Sequence, residues 1–316
     1  MVNTNRNFFL PLIAAVICLG VLFCPQHAYA ASSSEWTFAG LAQKSELVST
    51  ISDAQFETPT VVELYDDRAP VSASSGYLKA FENLSGRQLL DALHDSTGQN
   101  TSFHSYSEAR NFMYSTADNV LVSGKRGVIA AYSNIFIEGT SGNGGQYKEN
   151  GDANGDGFVD SSGVNAEHSW PQSFFRQALP MRVDLHHLQT TLQTPNNKRS
   201  SLPYTMVNSY KYSTNAGSKL GALGFEPCNS DKGNTARAML YFMMRYHDQN
   251  IRSGGYDNAF WKEKVDLFLL WNRQDPPDAN EARRNELIFK YQGNRNPFID
   301  NPSLADKIGA EVWKSL

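Results

Sequence analysis

The sequence has 316 residues and three cysteines, and only Cys228 lies outside the first thirty positions. Those thirty read as an export signal: one charge at Arg6, an apolar run from Phe8 to Phe23 interrupted by Pro11, and Ala28-Tyr29-Ala30 as a small-x-small cleavage pattern. The run is shorter than the roughly 20 apolar residues of a spanning helix, and Phe23 stands before Cys24 where a lipoprotein signal wants a small side chain. The expectation is a signal peptide over 1–30, no membrane anchor after its removal, and a secreted protein, extracellular or periplasmic. Such a chain works where disulfides persist and yet cannot close one internally. Its fold has to rest on a packed core, with bound metal as a second source of stability.

Net charge is −4, which by itself speaks against a nucleic-acid partner. The distribution is uneven, however: residues 31–180 hold 9 Lys and Arg against 18 Asp and Glu, whereas 181–316 hold 18 against 14. A basic C-terminal half could carry the electrostatic footprint a polyanion needs. On charge alone, a solvated mixed surface is an equally good reading.

Residues 31–76 are rich in Ser, Thr, Ala and acidic side chains, contain one β-like run (Thr60 to Tyr65), and are assigned no role. From 77 to 316 the pattern is that of one folded domain. Ser85 before leucines at 89, 90 and 93, with Gly98 as a stop, predicts a helix; "SYSEARNFMYSTAD" predicts a second, capped by Ser107. "GVIAAYSNIFIEG" is β-rich with Tyr132 at its centre, and three helices are predicted downstream in "DKGNTARAMLYFMMRYHDQN", "NAFWKEKVDLFLLWNRQD" and "ANEARRNELIFKYQG", the last two separated by Pro276-Pro277. The fold class expected is α+β, mostly helical, with a short β element carrying the chemistry.

That chemistry is suggested by "NAEHSWPQSFF", where Glu167 and His168 are immediate neighbours, followed sixteen residues later by "DLHHLQTTLQTPNNKRSS". Asp184 to Leu188 reads as a short strand, and Thr194-Pro195 as a helix start. A strand with Glu-His, a strand with Asp-x-His-His and a helix opening on asparagines make a ββα unit whose polar residues can converge. Adjacent histidines 186 and 187 point to opposite faces of a strand, which argues against a zinc pair of the kind spaced one helical turn apart. Upstream, Asp152, Asn154, Asp156, Phe158 and Asp160 follow the spacing of a calcium loop, with glycine at its sixth position but Gly163 where the twelfth-position glutamate belongs.

These blocks, together with "FEPCNSDKGNTARAMLYFMMRY" and "RRNELIFKYQGNRNPFID", resemble in order the bacterial endonuclease I nucleases of the His-Me finger (ββα-metal) group. The resemblance runs from about Tyr77 to the C-terminus. It implies a domain built around a ββα-metal finger, with His168 as general base and Glu167 and Asn196 as direct ligands of magnesium, or of another divalent cation such as manganese. It also implies one or both of Arg199 and Arg237 as contacts to phosphate, an ion pair being the alternative for each, and products with 5′-phosphate and 3′-hydroxyl ends. Asp184 and His187 are expected to support the ligands from behind. Asn197 beside Asn196 leaves a register choice, and Arg199-Ser200-Ser201 lacks an asparagine that the family often has there.

The reading that follows is a monomeric, largely sequence-nonspecific endonuclease acting on DNA, with RNA left open, and with a structural calcium ion as an additional expectation. Two rivals remain from the residues themselves. One is a calcium-dependent binding or adhesion module using the loop at 152–160. The other is a cysteine hydrolase using Cys228.

Overall fold

The computed structural model describes residues 75–139 and 164–316. The signal segment, all but the last two residues of 31–76, and the calcium-like loop at 152–160 lie outside the described residues. The described part is α+β, with helices at both ends and small antiparallel sheets between them.

Helix α1 (Gly86–Gly98) starts after Ser85 and buries Leu89, Leu90 and Leu93, the apolar stripe of its sequence. Helix α2 (Tyr106–Phe112) is capped by Ser105 rather than by the expected Ser107. Ser105 and Glu108 form a reciprocal capping box, which places Ser107 inside the first turn. The helix widens into a π-helical turn over Met113–Ala117 and runs into a meander of β1 (Asn119–Val122), β2 (Lys125–Ala130) and β3 (Ile135–Glu138). Tyr132 lies in the β2–β3 connection, not in a strand, with φ 70°.

The ββα unit consists of β4 (Val164–His168), β5 (Leu188–Leu192) and α3 (Gln193–Arg199). The second strand therefore begins where the predicted one ended. Asp184 to His187 form the turn before it, because Asp184, His186 and His187 are buried and bonded to groups outside any ladder. The helix opens two residues earlier than expected, with Leu192 at its N-cap and Pro195 inside the first turn, where the missing N–H costs no helical bond. β5 is also tied to the meander, since the Ala131 N–H donates to the Thr190 carbonyl and Thr191 Oγ1 to the Ala131 carbonyl.

After a small three-stranded sheet, β6 (Tyr212–Ser213), β7 (Lys219–Leu220) and β8 (Phe225–Glu226), the chain enters α4 (Asn229–Tyr246). This helix is buried on nearly every side, from Ala236 to Met244 without a break. It packs on α1 and on α5 (Val265–Gln274). Gly233 permits the second contact, because a Cβ there would collide with the Asp275 carbonyl. Trp170, Phe242, Trp261, Trp271 and Trp313 share this core. Helix α6 (Ala279–Gln292) ends at Gly293 in the left-handed conformation that glycine tolerates.

Candidate active site

Glu167 and His168 are the last two residues of β4, opposite Gln189 and Leu188 of β5. Strand geometry sends their side chains to opposite sides, yet both border one cleft of about 350 Å³, because His168 sits at the strand end where the chain leaves the sheet. Asn196 and Asn197 of α3, Ser200 and Ser201 beyond it, Tyr106 of α2 and residues 171–173 complete the rim.

On one side, Glu167 is almost fully buried. Its Oε1 accepts from Arg199 Nη1 at 2.7 Å and from the Tyr204 hydroxyl at 3.3 Å, and Oε2 takes neither bond. Burial pushes the Glu167 carboxyl up, and Arg199 and the tyrosine hydroxyls offset part of that. Arg199 also donates to the carbonyls of His168 and Ser169 at 2.9 and 2.6 Å, and its guanidinium stacks on Tyr204 at 4.4 Å. Tyr204 is bonded in turn to the Tyr132 hydroxyl at 2.6 Å. The left-handed backbone of Tyr132, costly for a bulky residue, is held on both sides. Asp231 accepts from its N–H, and Thr214 and Ser218 donate to its carbonyl at 2.8 and 2.6 Å.

On the other side, His168 Nε2 lies 3.2 Å from the Arg182 carbonyl. A carbonyl only accepts, so the ring proton belongs on Nε2, which leaves the Nδ1 lone pair free to accept. Burial, with the like charges of neighbouring His187, Arg182 and Arg199, pushes the imidazole down to about 3, so it is neutral near pH 7. His187 packs edge-on against it at 5.5 Å and is itself fixed by the Met181 carbonyl at 2.6 Å. Asp184, fully buried, accepts from Tyr241, Tyr246 and Gln292 at 2.7 to 2.8 Å, tying the turn before β5 to α4 and α6.

The structure thus brings Glu167, His168 and Asn196 to one cleft and sets Asp184 and His187 behind it. The two arginines expected at phosphate are elsewhere engaged. Arg199 lies beneath the carboxylate, about 1 % exposed. Arg237 is fully buried, bidentate to Glu281 at 2.8 and 2.5 Å and bonded to the Asp275 carbonyl at 2.6 Å, and it does not border the cleft. Buried arginine needs such partners, and both found theirs far along the chain. Cys228 is a buried thiol pushed well up by burial and by Asp231, a poor nucleophile.

One side chain at the cleft, Tyr106, and the cation stacked on it escaped the sequence reading. Tyr106 borders it, 5.9 Å from the His168 ring, with the Arg182 guanidinium 4.3 Å from its centroid and that of Arg110 at 5.5 Å. Arg182 has no carboxylate partner among the described residues, and its Nε is buried without a hydrogen bond. Its position two residues before Asp184 was the one available clue. Among the described residues no group of three His, Cys, Asp or Glu could hold a metal ion. The cleft is lined by one carboxylate, Glu167, together with amides that include Asn196 and with serine hydroxyls.

A family model described as Endonuclease I matches residues 85–303. The chain is 30% identical to an extracellular ribonuclease of Bacillus subtilis (strain 168), over 98% of this chain and 99% of that protein. It is 29% identical to an extracellular ribonuclease of Bacillus amyloliquefaciens, over 98% and 100%. A shorter match, 42% over 69 residues, covers 22% of this chain and 26% of an extracellular deoxyribonuclease of Aeromonas hydrophila. With the family pattern spanning the whole ββα unit and its supporting helices, the chain belongs to the endonuclease I family of nucleic-acid hydrolases.

Proposed function

We propose that the chain is a secreted, divalent-metal-dependent, largely sequence-nonspecific endonuclease that hydrolyses phosphodiester bonds of RNA and DNA to 5′-phosphate and 3′-hydroxyl ends. The observation that carries the proposal is the meeting of Glu167, His168 and Asn196 at one polar cleft. RNA stands first because the relatives matched along nearly their whole length are named ribonucleases, whereas the named deoxyribonuclease matches over a short segment. Export is supported by the sequence of residues 1–30 and by relatives named extracellular or periplasmic. Among the described residues no helix is long and apolar enough to cross a membrane.

The donor chemistry fits a hard cation. Glu167 keeps Oε2 clear of Arg199 and Tyr204, and Asn196 turns Nδ2 toward the Ala166 carbonyl at 3.5 Å, leaving Oδ1 as an acceptor. Two protein oxygens with the remaining shell left to water and phosphate suit magnesium or manganese. When bound, the ion supplies positive charge to the phosphate and to the departing 3′-oxygen.

The remaining steps belong to this chain's own side chains. His168 takes a proton from the attacking water on Nδ1 while the Arg182 carbonyl holds the ring by Nε2. Phosphate charge entering the cleft raises the proton affinity of that imidazole. Arg199 and Tyr204 fix the Glu167 carboxylate from below. Arg182, stacked on Tyr106, offers the substrate an uncompensated cation in the place expected of Arg199 and Arg237. A structural calcium ion at Asp152, Asn154, Asp156, Phe158 and Asp160 remains part of the proposal. The deciding experiment incubates the purified mature protein with RNA and with plasmid, with and without EDTA, and maps product ends by enzymatic end-labelling. Cleavage of neither substrate, or cleavage indifferent to EDTA, overturns the reading.

A further inference from the structure

Between Asn197 and Phe225 the chain contains no Asp or Glu, while Lys198, Lys211 and Lys219 fall within the same stretch. The fold sets Lys198 and Lys219 against tyrosine rings beside the cleft, with Lys211 exposed between those two tyrosines in the sequence. Helix α3 carries Asn196 and Asn197 on the cleft rim, and the next residue, Lys198, places its Nζ 5.5 Å from the Tyr212 ring centroid. Tyr212 opens β6, whose second residue, Ser213, pairs with Lys219 of β7. The Lys219 Nζ lies 6.0 Å from the ring of Tyr210, which is 54% exposed.

Lys198 and Lys211 have no carboxylate partner among the described residues. The acid nearest Lys219 is Glu226 at 3.9 Å, and that carboxylate is already taken by Lys232 at 2.7 Å and by the Val207 N–H at 2.7 Å. The surface is therefore positive. It is also apolar, because Met206 and Leu223 stand exposed in the loops around the same sheet. Solvent-facing lysines interleaved with an uncovered tyrosine are what a single polynucleotide strand requires: cations for its phosphates and a π-face for an unpaired base. A duplex keeps its bases stacked on one another and can use only the lysines.

We propose that this β6–β7 shelf is an extended subsite that holds single-stranded nucleic acid leaving the cleft, with a base stacked on Tyr210 and phosphates on Lys198 and Lys211. The shelf gives the protein a preference for unpaired substrate that the cleft alone does not supply. The inference rests on the nuclease reading, and the two fail differently.

The test measures binding of labelled oligonucleotides of about 20 nucleotides, longer than one such site requires, as single-stranded RNA, single-stranded DNA and duplex, by fluorescence anisotropy in EDTA. Cleavage kinetics are then followed with magnesium. Tyr210→Ala should weaken single-strand binding roughly tenfold, raise KM with kcat kept, and leave the duplex unchanged. Tyr210→Phe, which keeps the ring, should restore wild-type binding. Lys198→Gln with Lys211→Gln should flatten the dependence of log K on log salt by about 1.4 for single strands. Equal losses on RNA and DNA are expected, since a ring and two lysines meet groups both polymers carry.

A loss confined to one polymer, an equal loss on duplex, or failure of Tyr210→Phe to rescue would overturn the shelf. Wild-type protein that cleaves normally alongside a Tyr210→Ala variant indistinguishable from it would also overturn the shelf while leaving the nuclease reading in place. Wild type that cleaves nothing would overturn both.

Discussion

Arg199 and Glu167 stand 32 residues apart in sequence and 2.7 Å apart in space, with both side chains withdrawn from solvent. The guanidinium is the counter-ion and orienting support of the cleft carboxylate. Arg199→Met should therefore leave a buried carboxylate unpaired and cost about 3–5 kcal/mol in urea unfolding. Adding Glu167→Gln should recover most of that loss, because a neutral amide tolerates the site. If Arg199 met phosphate instead, the single variant would lower the salt dependence of substrate binding with stability kept.

His168→Ala should abolish cleavage, by about 10²–10⁴-fold, with substrate binding nearly intact. Its Nε2 contact to the Arg182 carbonyl is made by a neutral ring, so no ion pair is lost and the melting curve should stay close to wild type. A variant retaining more than about a tenth of the rate would remove His168 from the role of base.

Asn196→Ala should weaken magnesium or manganese binding in calorimetry, and excess metal should restore part of the activity. Asn197→Ala should not, since Asn197 is exposed and its Oδ1 already accepts from Gln193 at 3.4 Å. The reverse result would shift the ligand register by one residue.

What the sequence allowed and withheld follows from how far each partner lies along the chain. The α1 stripe and the α4 helix are local patterns, and they were legible. The Ser105–Glu108 capping box was equally local and was passed over for Ser107. The neighbours Glu167 and His168 were found because a carboxylate beside an imidazole is an unusual pair in a strand. The turn at Asp184 looked like a strand because its alternation is real, but the groups that fix it, Tyr241, Tyr246 and Gln292, lie 57 to 108 residues downstream. The same distance hid Arg237, whose partner Glu281 is 44 residues away. No pattern in the sequence links Tyr106 to Arg182, and only the fold stacks that guanidinium on a cleft tyrosine.

Arg182→Ala should raise KM for nucleic acid and reduce the salt slope of binding by about one ion. The backbone carbonyl that orients His168 survives the substitution, so kcat should fall much less than in His168→Ala. Tyr106→Leu should share part of the defect by releasing the guanidinium from its stacking partner, whereas Tyr106→Phe should be close to wild type. An unchanged salt slope in Arg182→Ala would mean that the cation faces solvent and not phosphate.

The buried histidines behind the cleft make stability depend on pH in one direction. Burial pushes His186 and His187 down to about 4, against the opposing effect of Asp184, whereas an unfolded chain titrates near 6.5. Below that value the unfolded state binds protons that the folded state refuses, so the stability these rings contribute above pH 6.5 is lost as pH falls toward 4. Asp184, held below the usual carboxylate range by those histidines and by Tyr246 and Gln292 despite its burial, acts in the same direction at lower pH. His186→Gln can keep the donation to the Asn294 carbonyl that His186 Nε2 makes at 3.0 Å and removes one titrating ring. Between pH 6 and 4.5 its urea-derived stability should therefore fall less steeply than wild type, by about 1.4 kcal/mol per pH unit. Above pH 7 the two slopes should coincide. Parallel slopes across the acid range would mean that His186 is protonated in the folded protein and that the network around Asp184 carries a charge pair.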